Sequence, residues 1–421
     1  MCDIMITLTD FFCGAGGSST GAAAAMRGRG RVVMAANHWR RAIETHQTNH
    51  PDTDHDLANL QATHPSRYPR TNIAWISPSC TSHSIAKGKQ RKSLGQLDLW
   101  GNDGVDPDEE RSRATMREVV EFTAYHLYDI VIVENVIDIH HWQHFDAWQK
   151  AMVDLGYEYK ALYLNARFFG VPQSRDRIYI VFWRRTMRAP DLDFRPLATC
   201  AAHGEVRAVQ TWKKAAWGRY ERQYTYRCPR CGAQVQPPHT PAAAAIDWSL
   251  PIERIADRAK PLRAKTLARI EAGLRKFAQQ HAPITTFISS YYGSGQHSSV
   301  DQSLQTITTH DRHGLVCAPF LIPYANSRGP ARPVTSTLHT LSTANIVGLV
   351  VPPDEIDWQR AVAESGFRML QPDELKRAMS FPDAYIILGN KSEQVRQIGN
   401  AVCCNVAEWI VARCADALEK A

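Results

Sequence analysis

The 421-residue sequence lacks several features that would assign it to a common class of protein. It has no apolar run long enough to span a bilayer, and its first residues lack the basic region and apolar core of a signal peptide. It also lacks a GxxxxGK[ST] phosphate loop, which disfavours nucleoside triphosphates as ligands. The ten cysteines are scattered, as is typical of reduced thiols. These observations predict a soluble, cytoplasmic protein with no membrane partner.

The net charge of +7 is concentrated in one segment of the chain. Residues 184–230 contain eleven Lys or Arg and four Asp or Glu, so this segment accounts for the whole excess. Aromatic residues are interleaved with these charges, namely Trp212, Trp217, Tyr220, Tyr224 and Tyr226. Such a segment could bind phosphates and stack on bases, or its aromatic side chains could pack a small core. The sequence alone leaves both interpretations open.

Apolar strands that alternate with helices predict an α/β fold with a parallel sheet. Residues 5–12 form an apolar strand that enters a Gly-rich turn at 13–17, and an Ala-rich helix follows. This strand, turn and helix are typical of a ligand-binding sheet. Further strands are predicted at 32–36, 73–76, 129–133, 157–164 and 178–183, with a helix at 114–127.

Two reactive residues follow predicted strands directly. Cys80 comes after the strand at 73–76 and the strand-ending Pro78, and Glu134 comes after the strand at 129–133. Open α/β sheets bind ligands at this edge, and burial there would raise the pKa of Glu134. The alternatives are a small buried hydrophobe for Cys80 and a helix cap or surface ion pair for Glu134. The loop at 81–104 has no periodicity and is predicted to be functional or mobile.

Six motifs in a fixed order are more specific than any one of these positions. They are DFFCGAGG at 10–17, Pro-Ser-Cys at 78–80, Glu-Asn-Val at 134–136, QSRDR at 173–177, FRMLQPDELKRAMSFPDAY at 367–385 and QIGNAV at 397–402. With these motifs the chain resembles the DNA cytosine-5 methyltransferase family over residues 5–185 and 365–421. The resemblance implies a Rossmann-like S-adenosylmethionine-dependent methyltransferase sheet in residues 1–185 and 366–421. A mainly-β target-recognition domain would be inserted at 186–365.

The resemblance also implies a role for each matching residue. Cys80 would add to C6 of a cytosine flipped out of double-stranded DNA, and Glu134 would donate a proton or hydrogen bond to N3. Arg175 and Arg177 would grip the base O2 and the adjacent phosphate, with Arg177 on the base. S-adenosylmethionine would donate the methyl group. Its pocket would consist of Phe12 on adenine, Gly14, Gly16 and Gly17 beside the methionine moiety, Asn37 at the ribose, Asp56 at adenine N6, and Asn400.

Departures from the family's pattern leave alternatives open. Ser79 stands where the family has proline, Thr81 stands where it has Gln, and Asn37 replaces the acid that bonds the ribose. Because Asn37 lacks the negative charge of that acid, the pocket would also suit carboxy-S-adenosylmethionine, a donor with an extra carboxylate. The product would then be a carboxymethylated cytosine. A second alternative is an RNA cytosine-5 methyltransferase, against which the long insertion argues. A third is a DNA-binding protein with an inactive methyltransferase domain, against which the intact Cys80 and Glu134 argue.

The inserted segment carries a second constellation. Cys228 and Cys231 form a C-x-x-C pair, and Cys200 and His203 form a second pair with the same gap. Four such ligands could close a tetrahedral structural zinc site, with His239 as a rival ligand. The other interpretation is that the Cys200 and His203 spacing arises by chance.

The short chain and its lack of regulatory domains suggest a bacterial or phage enzyme that acts as a monomer. It could belong to a restriction-modification system, protect a phage or act alone. The DNA sequence that it would recognise cannot be read from the chain.

Overall fold

The computed structural model describes residues 5–78, 107–278, 286–291, 296–317 and 357–420, and it forms two compact units. The first unit is Met1–Ala245, Asp301–Asp311 and Gln371–Ala421, and the second is Ile246–Val300 and Arg312–Leu370. Residues 186–245 therefore group with the first unit, although the sequence assigned them to the inserted domain. The assignment of 186–365 to target recognition stays a prediction.

The strands and helices of the described residues are numbered in chain order. The strands are β1 (Ile6–Phe11), β2 (Gly30–Asn37), β3 (Asp54–Leu57), β4 (Ile73–Ile76), β5 (Ile130–Asn135), β6 (Tyr157–Asn165), β7 (Gln173–Ser174), β8 (Asp176–Arg184), β9 (Leu197–Cys200), β10 (Gly204–Arg207), β11 (Val209–Trp212), β12 (Tyr224–Arg227), β13 (Gln234–Val235), β14 (Thr286–Ser290), β15 (Gln296–Ser299), β16 (Leu304–Gln305), β17 (His313–Cys317) and β18 (Gly366–Met369). The helices are α1 (Gly17–Ala25), α2 (Arg40–Asn49), α3 (Pro107–His126), α4 (Phe145–Asp154), α5 (Ala264–Ala278), α6 (Trp358–Glu364), α7 (Pro372–Ala378), α8 (Lys391–Asn400) and α9 (Cys404–Leu418).

The first unit is built on a sheet with the strand order β3-β2-β1-β4-β5-β8-β6. Strands β1 to β5 run parallel, and β8 is antiparallel to both of its neighbours. Phe11 pairs with Ile76, and Ile76 pairs with Val133, so β1 and β4 end level and β5 extends two residues beyond them. The predicted α/β fold class is confirmed. This edge of the sheet brings together the residues at the carboxyl ends of the central strands.

The central strands have no polar alternation because both of their faces are covered. Every residue of β4 and β5 is buried, including Trp75 and Ile132. Helices α3 and α4 contribute Met116 and Trp148 to the apolar cluster that contains Phe11. The apolar strand runs were therefore reliable signals of burial in this sheet.

The C-terminal segment packs tightly against the first helix. A Cβ atom at Gly17 would lie 2.1 Å from the carbonyl oxygen of Val402, and one at Gly21 would lie 2.3 Å from that of Cys404. Helices α1 and α9 can approach this closely only because these two positions carry no side chain. Residues 371–421 thus complete the first unit.

The basic segment at 184–230 forms small antiparallel sheets in the first unit. Strands β9 and β10 form a hairpin, and β11, β12 and β13 form a three-stranded sheet. Tyr220, Tyr224 and Tyr226 are buried in the main apolar cluster, and Trp212 and Trp217 pack partly buried against it. These aromatic side chains are therefore core and do not form an exposed stacking surface.

The second unit has a four-stranded antiparallel sheet in the order β15-β14-β17-β18. Its own apolar cluster joins Ile270 and Leu274 of α5 to Phe287, Val316 and Phe367 of the sheet. Within the described part of the chain, no helix has the length and apolar character that crossing a bilayer requires.

Candidate functional site

The Gly-rich turn after β1 has the backbone geometry of a ligand-binding turn. Phe12, Gly14 and Gly16 have φ angles of 61°, 53° and 88°, in the left-handed region. Phe12, a non-glycine residue in this region, is strained, which is common in binding sites. Its ring borders a small recess that Phe11, Phe122 and Glu118 also line. An aromatic ring at such a recess can stack on a flat, apolar ligand group.

A buried polar network supports this turn from below. Ser18 and Ser19 each donate a 2.6 Å hydrogen bond to Asp10 of β1. His46 Nε2 lies 2.9 Å from the Ser19 hydroxyl, and His46 Nδ1 lies 2.8 Å from His55 Nε2. Burial raises the pKa of Asp10 to about 6, although both serines oppose the shift. Sequence analysis missed this network, and only the crowding of histidines at 46–55 could have indicated it.

The glycines of the turn serve packing as well as ligand access. A Cβ atom at Gly16 would lie 2.4 Å from the Tyr385 hydroxyl, and that hydroxyl donates a 2.6 Å hydrogen bond to the carbonyl of Ala15. Gly17 lies against Val402 in the same way. The predicted contact of these glycines with a donor molecule stays a prediction. Their immediate neighbours in the fold are Tyr385 and Val402.

Asn37 is the last residue of β2, and Asp56 is the penultimate residue of the neighbouring strand β3. The Asn37 side chain is buried, and its Oδ1 accepts a 2.9 Å hydrogen bond from the Trp39 backbone N–H. Its amide N–H groups are therefore the part that can donate to a ligand. Asp56 accepts from Arg67 at 2.6 and 2.8 Å and from the Tyr68 hydroxyl at 2.9 Å. The Arg67 guanidinium lowers the pKa of Asp56.

A buried ion pair occupies the carboxyl end of β5. Glu134 Oε1 lies 3.1 Å from Arg177 Nε, and the two side chains are only 12% and 15% exposed. Burial raises the pKa of Glu134, while Arg177 and Arg175 oppose the shift. The sequence predicted that burial would raise the pKa of Glu134, and the structure favours a shift in that direction. A carboxyl group whose pKa is raised is protonated more readily than a free carboxyl and can then donate a hydrogen bond to a ligand.

Arg175 has different partners from Arg177. It is buried and donates to the carbonyl oxygens of Ile307, Gly399 and Ala401 at 3.1, 3.0 and 3.2 Å. Two of these carbonyls flank Asn400, which is exposed at the end of α8. The Arg175 guanidinium therefore holds the backbone on both sides of Asn400. The predicted contact of Arg175 with a base or phosphate would compete with these three hydrogen bonds.

The predicted nucleophile, Cys80, lies outside the described residues, as do Ser79, Thr81 and the loop at 81–104. The described chain ends there at Pro78, just after β4. Ser77 donates a 3.2 Å hydrogen bond to the carbonyl of Phe11. This bond fixes the chain beside the Gly-rich turn three residues before Cys80.

The four predicted metal ligands come together from two hairpins. Cys200 and His203 belong to the β9–β10 hairpin, and Cys228 and Cys231 to the turn between β12 and β13. Their ligand atoms all lie within 4.8 Å of one another. The Cys200 and Cys231 sulfur atoms are 3.7 Å apart, and His203 Nδ1 is 3.6 Å from Cys200 and 3.7 Å from Cys228.

The three distances of 3.6–3.7 Å between these sulfur and nitrogen atoms match the edges of a zinc coordination tetrahedron. Zn–S and Zn–N bonds of about 2.3 and 2.0–2.1 Å give edges of about 3.5–3.8 Å. Burial opposes ionisation of Cys228, but the backbone N–H groups of Cys231 and Arg230 outweigh it and lower the pKa of Cys228 to about 6. The rival His239 instead contacts the carbonyl of Asp301 at 3.3 Å. His203 is therefore the histidine that fits the set.

Comparison with known proteins places the chain in one family. A family model of C-5 cytosine-specific DNA methylases matches residues 6–416. The chain belongs to this family. Membership indicates a DNA (cytosine-5-)-methyltransferase and implies S-adenosylmethionine as its methyl donor. No curated protein matches the sequence.

Solved structures show the fold of this C-5 cytosine-specific DNA methylase. The Entamoeba histolytica methyltransferase EhMeth aligns with a TM-score of 0.54 at 12% identity, covering 98% of both chains. Dnmt2 of S. pombe aligns with a TM-score of 0.54 at 13% identity, covering 99% of both chains. A putative DNA modification methyltransferase of an E. coli prophage gives 0.50 at 16%, covering 98% of this chain and 99% of its own. At these identities the likeness supports the fold alone.

Proposed function

We propose that this DNA methylase transfers a methyl group to C5 of a cytosine flipped out of duplex DNA, with Cys80 as the nucleophile. The observation that carries the proposal is the buried Glu134–Arg177 pair at the carboxyl end of β5. The chain that leads to Cys80 leaves β4 at the same sheet edge, since Ile76 pairs with Val133. A carboxyl group and a thiol at the same sheet edge could act on one pyrimidine ring, with the thiol adding to C6 and the carboxyl group donating to N3.

Each protein group would have a defined task. The Cys80 thiolate adds to C6, and Glu134 donates a hydrogen bond or proton to N3 as negative charge develops on the ring. C5 then takes the methyl group and loses its proton to solvent, and Cys80 leaves as C5=C6 forms again. Arg177 holds the Glu134 carboxyl and can reach the base O2. Flipping the base costs a few kcal/mol, which contacts with the DNA backbone must offset.

The residues around the Gly-rich turn fit S-adenosylmethionine, which supplies an electrophilic methyl group on a sulfonium. The recess beside Phe12 is lined by apolar side chains and by Glu118, and an adenine bound there would lie against the Phe12 ring. Asp56 Oδ1 accepts one hydrogen bond from Arg67 and so keeps a lone pair for an amino group. The Asn37 amide can donate to a ribose hydroxyl, because its oxygen already accepts from Trp39. Asn400 would complete the pocket.

The reaction is tested by incubating plasmid DNA with the pure protein and S-adenosylmethionine, followed by nucleoside mass analysis. We expect a cytosine heavier by one methyl group, and we expect Cys80→Ser to abolish it. The matched control is Cys317→Ser, a cysteine of the second unit. Unchanged methylation by Cys80→Ser would show that the nucleophile is wrongly assigned.

The same assay tests the alternative functions when it is repeated with a different donor or with RNA as the substrate. Product only with carboxy-S-adenosylmethionine would identify a carboxymethyltransferase, and product only on RNA would identify an RNA enzyme. No product in any arm, with DNA binding retained, would identify a DNA-binding protein with an inactive domain. A role in a bacterial or phage modification system stays a prediction.

We also propose that Cys200, His203, Cys228 and Cys231 bind a structural zinc ion. The matching ligand distances support this assignment, as does the Arg230 N–H, which donates to Cys228 Sγ at 3.4 Å. Metal analysis should find one zinc per chain, lost in Cys231→Ser and retained in Cys317→Ser. Purified protein with no zinc above background would refute the site.

A further inference from the structure

Arg175 lies where three parts of the first unit that are distant in the sequence meet. Its Nη1 donates to the Ile307 carbonyl at 3.1 Å, and its Nη2 donates to the Gly399 and Ala401 carbonyls at 3.0 and 3.2 Å. The residue is only 4% exposed. The guanidinium therefore joins the QSRDR motif to two other chain segments through direct hydrogen bonds.

The two carbonyls that Nη2 contacts lie at the end of helix α8, which spans Lys391–Asn400. The last carbonyls of a helix have no partner within the helix, and a cation is favourable there because of the helix dipole. Gly399 and Ala401 are both buried, so water is a poor substitute for the arginine. Arg175 thus caps the C-terminus of α8 from another part of the chain.

The same guanidinium fixes a second chain beside α8. Gln173 Oε1 accepts from the Ile307 N–H at 3.1 Å, so Gln173 and Arg175 hold both backbone groups of Ile307. Strand β16 pairs with β7 next to this point. A Cβ atom at Gly399 would lie 2.2 Å from the Thr308 carbonyl oxygen, so the two backbones touch directly. Loss of Arg175 would loosen both chains at one place.

These contacts engage the nitrogen that Arg175 would need for a phosphate. A guanidinium grips a phosphate through two parallel N–H groups, on Nη1 and Nη2 or on Nη2 and Nε. Both pairs include Nη2, which in Arg175 already donates to two carbonyls. A phosphate would have to displace hydrogen bonds that buried carbonyls require. The geometry therefore favours a role for Arg175 inside the protein.

Asn400 lies between these anchors and the Gly-rich turn. It is exposed at the end of α8, while the carbonyls of its neighbours Gly399 and Ala401 are held by Arg175. Two residues further, the Val402 carbonyl lies so close to Gly17 that a Cβ atom there would come within 2.1 Å of it. The Asn400 side chain is thus presented from a backbone that is fixed on both sides.

We propose that Arg175 is a positioning residue for S-adenosylmethionine: it caps α8 and so fixes Asn400 beside the Gly-rich turn, in place of the grip on base or phosphate that the resemblance implies. This inference rests on the proposed function, because Asn400 binds the donor only under that proposal. Without Arg175, the end of α8 loosens and Asn400 no longer meets the donor in one geometry. The donor affinity falls, and no DNA phosphate loses a partner.

The test compares donor binding with DNA binding in the full-length protein. Arg175→Gln should weaken calorimetric S-adenosylmethionine binding about tenfold, the worth of about one hydrogen bond. The slope of log affinity for duplex DNA against log salt concentration should stay the same, whereas loss of a phosphate contact would flatten it by about 0.9. Arg175→Lys keeps the charge but offers a single nitrogen, so it should not restore donor affinity.

Two further variants act on the same junction. Asn400→Ala should itself weaken donor binding, and adding Arg175→Gln should then change little more, because the positioned group is gone. Gly399→Ala pushes against Thr308 without removing a charge, and it should also weaken donor binding. The control is Arg167→Gln, which removes another buried arginine of the first unit, one that lies over the Phe168 ring. Its donor affinity should equal that of the wild type.

Three results would overturn the inference. They are an unchanged donor affinity in Arg175→Gln, a flattened salt slope in that variant, and fully additive losses in the double variant with Asn400→Ala. Should Arg175→Gln fail to fold, an unchanged donor affinity in Gly399→Ala would overturn it instead. A wild-type protein that methylates no cytosine would overturn the proposed function.

Discussion

Removing Arg177 should destabilise the fold because it leaves a buried carboxylate without its ion-pair partner. Breaking a buried ion pair from one side costs about 3–5 kcal/mol. The Glu134 and Arg177 side chains are 12% and 15% exposed, and Arg175 remains near Glu134 as a second cation. We therefore expect Arg177→Gln to cost about 3 kcal/mol, at the lower end of that range. Urea unfolding followed by tryptophan fluorescence measures this loss.

The double variant separates the charge effect from general damage. Glu134→Gln combined with Arg177→Gln leaves no buried charge in the pair, so it should be within about 1 kcal/mol of the wild type. The loss in Arg177→Gln should also depend on pH. The pKa of Glu134 is already raised by burial and would rise further without Arg177. The folded state then binds the extra proton, so stability falls as pH rises towards that pKa.

The expected order of stability is thus wild type, double variant and Arg177→Gln, with the largest gap in mildly alkaline buffer. Equal losses in Arg177→Gln and in the double variant would refute the reasoning. So would a loss in Arg177→Gln that stays constant from about pH 5 to about pH 8.

Three further predictions follow from the donor pocket. Gly17→Ala should cost about 1–3 kcal/mol and weaken donor binding, because its Cβ would lie 2.1 Å from the Val402 carbonyl. The control Gly28→Ala, with φ +78° and nothing within 4 Å, should cost about 1 kcal/mol and leave donor affinity unchanged. Asn37→Asp should tighten calorimetric S-adenosylmethionine binding about fivefold, since a charged acceptor bonds a ribose hydroxyl more strongly; unchanged or weaker binding would contradict this reasoning. Asp10→Asn should remove a fall in stability, on the order of 2–3 kcal/mol, that the wild type shows as pH rises from the usual pKa of 3.8 to about 6. Parallel unfolding curves for Asp10→Asn and wild type across that range would contradict the last prediction.

The sequence predicted the sheet well because its central strands are apolar on both faces. Strand β4 was placed at its observed bounds, Ile73–Ile76, and β5 differed by one or two residues at its ends. Glu134 could be singled out because a carboxyl group directly after a buried strand is unusual. The four residues of the proposed zinc site could be singled out because their two-residue gaps recur, and the fold brings the two pairs together.

The partners of the site residues could not be predicted, because they come from distant parts of the chain. Arg175 meets carbonyl groups of residues 307, 399 and 401, and Gly17 meets residue 402. Asp56 is bound by Arg67 and Tyr68, whose side chains gave no pattern in the sequence. The aromatic residues of the basic segment had two open interpretations, and packing against the main sheet decided for core. The roles of the individual site residues stay predictions.

Covalent trapping on duplex DNA that contains 5-fluorocytosine tests the central claim most directly, because fluorine at C5 prevents the final elimination of the thiol. The account predicts a stable protein–DNA adduct that forms only with S-adenosylmethionine and whose peptide map places the DNA on Cys80. Cys80→Ser should form no adduct, and Cys317→Ser should form it normally. An adduct on another residue, or none under conditions in which ordinary cytosine is methylated, would contradict the account.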